Sequence, residues 1–297
     1  MARSAMPKVS WDRHLLRSVQ SAPPATLPVF IYGTAWKKDR TTDLVYQALN
    51  AGFRAVDTAA QPKHYREDLI QTKFTSIHGQ NPDEMPYDPN SSVTEQVHAS
   101  IKSSLEHLRA SDAPESVNEA YIDMLVLHSP LPTMSQTLEA WSTFETYVPH
   151  RIRNLGISNC TLPQLRELSA LVKVKPAVVQ NRFYGGTQFD VPLRSYCRDN
   201  DIIYQSFWTL TANPELVQSD AIQLLASRTE ISPAAALYCL VLALGNTTLL
   251  NGTSNRGRME ADLAAPARVE RFSQEHPEVW QRVLENFQQL TGDRVAL

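Results

Sequence analysis

Three apolar runs in the first half of the chain each end on an ionisable residue. Phe53-Arg54-Ala55-Val56-Asp57 delivers Asp57, Leu69-Ile70-Gln71-Thr72-Lys73 delivers Lys73, and Ile122-Asp123-Met124-Leu125-Val126-Leu127-His128 delivers His128. A phenol, Tyr65, lies on the connection between the first two. These are groups for acid–base chemistry. A phenol titrates near 10, and a buried ammonium beside it favours the phenolate; a change of about 3 pH units corresponds to roughly 4 kcal/mol. A carboxylate next to that ammonium keeps it charged and oriented, and an imidazole can donate a hydrogen bond. One polar residue after a buried strand is commonly just a turn or a helix cap. Three in succession point to strands aimed at one polar centre. A rival use of Lys73 is as a Schiff-base lysine of the aldolase type.

The elements that must position these groups alternate along the chain. Strands are predicted at Leu27–Gly33, Phe53–Ala59, Leu69–Thr75, Tyr121–His128, Ile152–Asn159, from Ala177 to Gln180, Ile202–Phe207 and Thr247–Leu250. Helices are predicted between most of them. The clearest is Ser92–Leu108, where Val93, Val97, Ile101, Leu105 and Leu108 form one stripe and Ser92 with Glu95 fits a capping box. Others are expected at Thr133–Val148, from Leu162 to about Val172, at Pro192–Asp199, Ser219–Ser227 and Pro233–Leu244, from about Arg256 to Leu263, and near Glu278–Phe287. Fully apolar strands alternating with helices imply a parallel sheet covered by helices. With about eight strands and no GxGxxG after the first, an α/β fold of the (β/α)8 TIM barrel type fits best. The active site then lies where the strands end. Residues 1–26 read as a loosely ordered lead-in and 27–297 as a single barrel domain.

Composition narrows the class. Across 297 residues the net charge is −3, so no basic excess exists for nucleic acid. No run approaches the roughly 20 apolar residues of a membrane helix, and the N-terminal stretch lacks the apolar core of a signal peptide. Three widely spaced cysteines (Cys160, Cys197, Cys239) read as buried free thiols in a reducing compartment, with the cytoplasm as the expected location. No metal-ligand spacing is present. A monomer or weak homo-oligomer is expected.

The runs GFRAVDTA, IQTKFT, YIDMLVLHSP, NLGISN, VVQNRFY and NGTSNRGRMEADL together resemble the aldo-keto reductase superfamily over about Leu27 to Leu263, and QPKHY and YQSFWTLTANP resemble its fungal branch. The resemblance implies NAD(P)H-dependent reduction of an aldehyde or ketone by a tetrad matched here by Asp57, Tyr65, Lys73 and His128. Tyr65 would be the proton donor and His128 would hold the carbonyl oxygen. It also implies a cofactor, NADP with NAD as an alternative. Gly33 and Thr34, at the end of the first strand, are expected among the residues that bind this cofactor. Ser158, Asn159 and Gln180 match the positions that hold the nicotinamide amide, Phe207 the position that stacks on its ring, and Thr253, Ser254, Asn255 and Arg258 the segment that holds the 2′-phosphate. The frequent family lysine before that segment is replaced by Gly252. The long loop Ser76–Asn90, with Trp36, Trp208 and Tyr87, suggests a roomy aromatic pocket and a secondary-metabolite carbonyl.

One stretch departs from the family pattern. Only about nine residues, Ala60 to Asp68, join the second strand to the third, whereas a helical crossover needs at least about 10–12. The barrel is therefore expected to lack the helix between strands 2 and 3, to expose apolar surface there, and to risk moving Tyr65 away from Lys73. A catalytically impaired, cofactor-binding regulatory or interaction subunit is the second reading.

Overall fold

The computed structural model describes residues 9–16, 26–58, 69–80, 85–108 and 116–293. A short antiparallel hairpin, β1 (Arg13–Leu15) with β2 (Thr26–Pro28), precedes a closed barrel. The barrel strands are β3 (Phe30–Gly33), β4 (Ala55–Asp57), β5 (Leu69–Phe74), β6 (Ile122–Leu127), β7 (Ile152–Ser158), β8 (Val178–Arg182), β9 (Ile203–Phe207) and β10 (Thr247–Asn251). All eight run parallel in chain order, and β10 closes on β3. This is the expected (β/α)8 barrel.

Local chemistry explains the covering helices. Helix α1 (Thr41–Ala51) stops at Gly52, whose φ of 116° only glycine adopts without strain. Helix α2 (Val93–His107) starts with the expected capping box, Ser92 and Glu95 each bonding the other's backbone N–H. The four-residue α3 (Ser116–Glu119) leads into β6, α4 (Met134–Glu145) follows β6, and α5 (Leu162–Leu171) follows β7 with a Thr161–Gln164 box. After them come α6 (Val191–Asp199), α7 (Pro214–Val217), α8 (Asp220–Thr229), α9 (Pro233–Ala243), α10 (Arg256–Glu275) and α11 (Pro277–Leu290). Every residue of α9 from Ala235 to Ala243 is buried, because α8, α10 and α11 pack over it. At Gly156, β7 comes close to β8; a Cβ there would meet the Val178 side chain at 2.4 Å.

Three expectations change. Helix α10 continues past the predicted stop near Leu263 and carries Pro266 inside it, because Met259, Ala265, Val269 and Phe272 keep one buried stripe across the proline. Within the stretch expected as a lead-in, residues 9–16 are packed. Leu16 and Leu27 are 2% and 0% exposed and join Ile31, Ala55, Met124, Val126, Val178 and Ile203 inside the barrel floor. The bare apolar face expected beside the short connection is not found among the described residues. Val56 and Ile70 are 1% and 5% exposed and belong to the same apolar layer as Leu44 of α1 and Val97 of α2. Residues 59–68, which contain Tyr65 and the connection expected to lack a helix, lie outside the described residues.

The floor holds a buried imidazole. His14 Nε2 donates to Thr247 O at 2.8 Å, and burial pulls His14 below the usual histidine range. His128, at the other end of the barrel, is lowered too. A histidine that resists protonation only when folded stabilises the fold fully above about pH 6.5, and this stability is lost as pH falls through the folded pKa. Asp123 and Asp262, raised by burial, act in the opposite sense. The His14 share is therefore read as a difference. Between about pH 7 and 5 the melting temperature of the unaltered protein should fall more steeply than that of His14→Gln; parallel curves would contradict this.

Candidate active site

Asp57 closes β4, and Lys73 stands one residue before the end of β5. Lys73 Nζ donates to both Asp57 oxygens, at 2.5 Å to Oδ1 and 2.6 Å to Oδ2, with both side chains about nine-tenths buried. Such a pair persists only where the carboxylate's remaining capacity is also satisfied. Gln71 and Gln180 supply this, donating Nε2 to Asp57 Oδ1 at 2.7 and 3.3 Å. Both also donate to Gln205 Oε1 at 3.0 Å, and Gln205 returns a bond to Gln71 at 2.9 Å. Four strands thus meet across the barrel interior in a layer of three buried glutamines and one carboxylate.

Side chains two apart on a strand share a face. The residues one rung above the glutamines are therefore Lys73 on β5, Arg182 on β8 and Phe207 on β9. Register agrees, pairing Gln180 with Gln205 and Arg182 with Phe207.

His128 follows β6, its N–H donating to Phe74 O at 2.9 Å. Burial lowers its pKa most, the Lys73 ammonium lowers it further, and Asp57 opposes both. The ring is neutral at neutral pH and keeps one N–H to donate. Asn159 donates Nδ2 to His128 O at 2.9 Å and to Ser158 Oγ at 3.1 Å. Ser158 Oγ donates to Gln180 O at 2.6 Å. Gly33 pairs with Asp57, and the Thr34 N–H and hydroxyl donate to Asp57 O at 3.0 and 3.1 Å. Gly33, Thr34, Asp57, Lys73, His128, Ser158, Asn159 and Gln180 therefore form one bonded set at the C-terminal mouth. Three residues beyond the barrel strands, Trp36, Asn159 and Trp208, hold φ of 65°, 53° and 56°. Non-glycine residues in this region store strain, which clusters at functional sites.

A second group follows β10. Tyr32 OH donates to Thr253 O at 3.1 Å, Gln47 Nε2 reaches Ser254 O at 3.5 Å, and Asn255 Oδ1 accepts from Arg258 N at 3.0 Å, capping α10. The Arg258 side chain is exposed and forms no ion pair among the described residues. Where the family pattern has a lysine, Gly252 presents its carbonyl to Lys37 Nζ at 2.5 Å. A Cβ on Gly252 would come within 3.9 Å of that ammonium. A cation therefore stands at this point after all, supplied from the loop after β3.

Tyr65 lies outside the described residues, so its distance to Lys73 is not part of this geometry. Tyr87, expected to help line the pocket, does not. It is 6% exposed, packs on Phe74 at 5.9 Å and donates to Thr75 O at 2.6 Å. A groove of about 420 Å³, lined by residues such as His78, Leu131 and Glu139, lies between the loops after β5 and β6 and includes none of the Asp57 cluster. Gln71, Gln205, Arg182 and Lys37 also belong to the site, beyond the residues expected from sequence. Parity could have found three of them, since each stands two positions from a residue already singled out: Lys73, Phe207 or Gln180.

The family model for the aldo/keto reductases matches residues 30–284, which span the whole barrel and α10. The chain belongs to the aldo/keto reductase family. By family this aldo/keto reductase is an oxidoreductase. It is 26% identical over 208 residues to the NAD/NADP-dependent indole-3-acetaldehyde reductase of Schizosaccharomyces pombe, covering 64% of this chain and 67% of that one. It is 26% identical over 227 residues to an aldo-keto reductase of Mycobacterium tuberculosis, covering 76% and 77%. In three dimensions the aldo/keto reductase is similar to an aldo-keto reductase from a Medee basin deep-sea metagenome library, with a TM-score of 0.66, 16% identity, and coverage of 95% and 97%.

Proposed function

We propose that the protein reduces an aldehyde or ketone to an alcohol with a nicotinamide cofactor, NADPH ahead of NADH. The observation that carries this is the buried Lys73–Asp57 pair at the barrel mouth, whose two charges both act on the neighbouring His128. The residues present fit the cofactor. Gln180 Oε1 and Asn159 Oδ1 accept no hydrogen bond among the described residues, and either suits a carboxamide N–H. Phe207 offers a ring face one rung above Gln205. Arg258 at the N-terminus of α10, with Lys37 beside Gly252, suits a phosphate. The S. pombe relative is named for both NAD and NADP.

When bound, the cofactor supplies the hydride. The carbonyl carbon would take that hydride, and the oxygen, as an alkoxide, would need a proton. Tyr65 provides it, its phenol biased toward giving it up by the Lys73 ammonium, which Asp57 holds in place. The His128 N–H holds the carbonyl oxygen. Trp36 and Trp208, 88% and 48% exposed at the rim, suit a flat carbonyl compound of the secondary-metabolite type. All three thiols are buried and free, which supports a reducing, cytosolic setting.

The test is NADPH oxidation on addition of a generic aldehyde. Tyr65→Phe should lower turnover by about 10²- to 10⁴-fold while cofactor still binds. The second reading, a silent cofactor-binding subunit, is favoured by the short connection carrying Tyr65. It prevails if NADPH binds to the unaltered protein and no aldehyde oxidises it.

A further inference from the structure

Two cations stand one rung above the glutamine layer, and they differ in how they are compensated. Lys73 is neutralised by Asp57. The side chain of Arg182, the last residue of β8, forms no ion pair and no hydrogen bond among the described residues. Its Nε is buried and unpartnered. The guanidinium instead lies over three rings, 4.1 Å from the Trp208 centroid, 5.2 Å from Tyr184 and 5.9 Å from Phe207. Register fixes its direction. Gln180, two residues earlier on the same strand, reaches Asp57 across the barrel, so Arg182 projects inward at the mouth, about 6–7 Å further along the strand.

Ring faces take up the flat side of a guanidinium and leave its N–H edge unused. That edge is a planar fork matched to a carboxylate. A guanidinium in a protein of net charge −3 thus stands half-buried at the rim with no ion-pair partner among the described residues. Phosphates are the other anions within reach of this site. Arg258 and Lys37, however, follow β10 and β3, two and three strands round the ring from β8.

We propose that Arg182 recognises a carboxylate on the carbonyl substrate, making the preferred substrate an aromatic or otherwise flat aldehydo- or keto-acid. This deepens the reductase reading above and rests on it.

The test compares 4-carboxybenzaldehyde with uncharged benzaldehyde, as the ratio of their kcat/KM values, in the unaltered protein and in Arg182→Gln and Arg182→Lys. The ratio should fall about 10- to 100-fold in Arg182→Gln and less in Arg182→Lys, which keeps the charge but loses the fork. An unchanged ratio overturns the proposal. So does a loss confined to NADPH affinity, which would place a cofactor phosphate on Arg182. If the unaltered protein reduces neither aldehyde, the reductase reading fails. The anion site is then read without turnover, from the tryptophan emission during titration with benzoate or benzamide, with Trp208→Phe as control. Selective response to benzoate that Arg182→Gln abolishes supports the site, and equal responses overturn it.

Discussion

Lys73→Met should reduce carbonyl turnover by about 10²- to 10⁴-fold and also destabilise the fold. Both effects come from one geometry. Lys73 supplies the cation that both Asp57 oxygens face, and without it the carboxylate keeps, among the described residues, only the Gln71 and Gln180 amides. Breaking a buried pair by removing one partner costs about 3–5 kcal/mol. A second variant separates stability from catalysis. Asp57→Asn combined with Lys73→Met removes both charges, so it should recover much of the stability, read by urea unfolding, while turnover stays lost. Recovery of turnover along with stability would mean that the pair merely holds the barrel together.

Asp293→Ala should lower the melting temperature by on the order of 10 °C, from a loss of about 3–5 kcal/mol. Arg194 on α6 is 1% exposed, and its Nη2 donates to Asp293 Oδ2 at 2.7 Å just beyond α11. Its Nε donates to Phe189 O at 2.8 Å, and Nη1 has no partner. Phe189 lies in a run, Gln188-Phe189-Asp190, with φ of 51°, 52° and 54°, which chirality disfavours by about 1–2 kcal/mol per residue. The buried pair therefore also anchors a strained loop. Removing Asp293 leaves an uncompensated buried guanidinium; removing both partners, as Arg194→Met with Asp293→Ala, should restore part of the loss. A melting temperature within about 3 °C of the unaltered protein would count against this account.

The barrel was legible because its strands are buried on both faces and so read as unbroken apolar runs, and because Asp57, Lys73 and His128 each stand where a run stops. The glutamine layer was harder to see. Gln71 and Gln205 are 134 positions apart and meet only when the ring closes. Lys37 and Gly252 are 215 apart for the same reason. Pro266 hid the second half of α10, since a proline normally ends a helix and only the buried stripe through it shows that this one continues. His14 looked like part of a polar lead-in, because its acceptor, Thr247 O, lies at the far end of the chain.

The central claim is that these residues direct a hydride from a nicotinamide cofactor onto a carbonyl carbon. Its most direct test is turnover of an aldehyde with NADPH carrying deuterium on one or the other face of nicotinamide C4, followed by mass analysis of the alcohol. The expected result is one deuterium on the carbinol carbon from one labelled form and none from the other. Alcohol free of deuterium from both forms, or cofactor bound with no alcohol made, would contradict it.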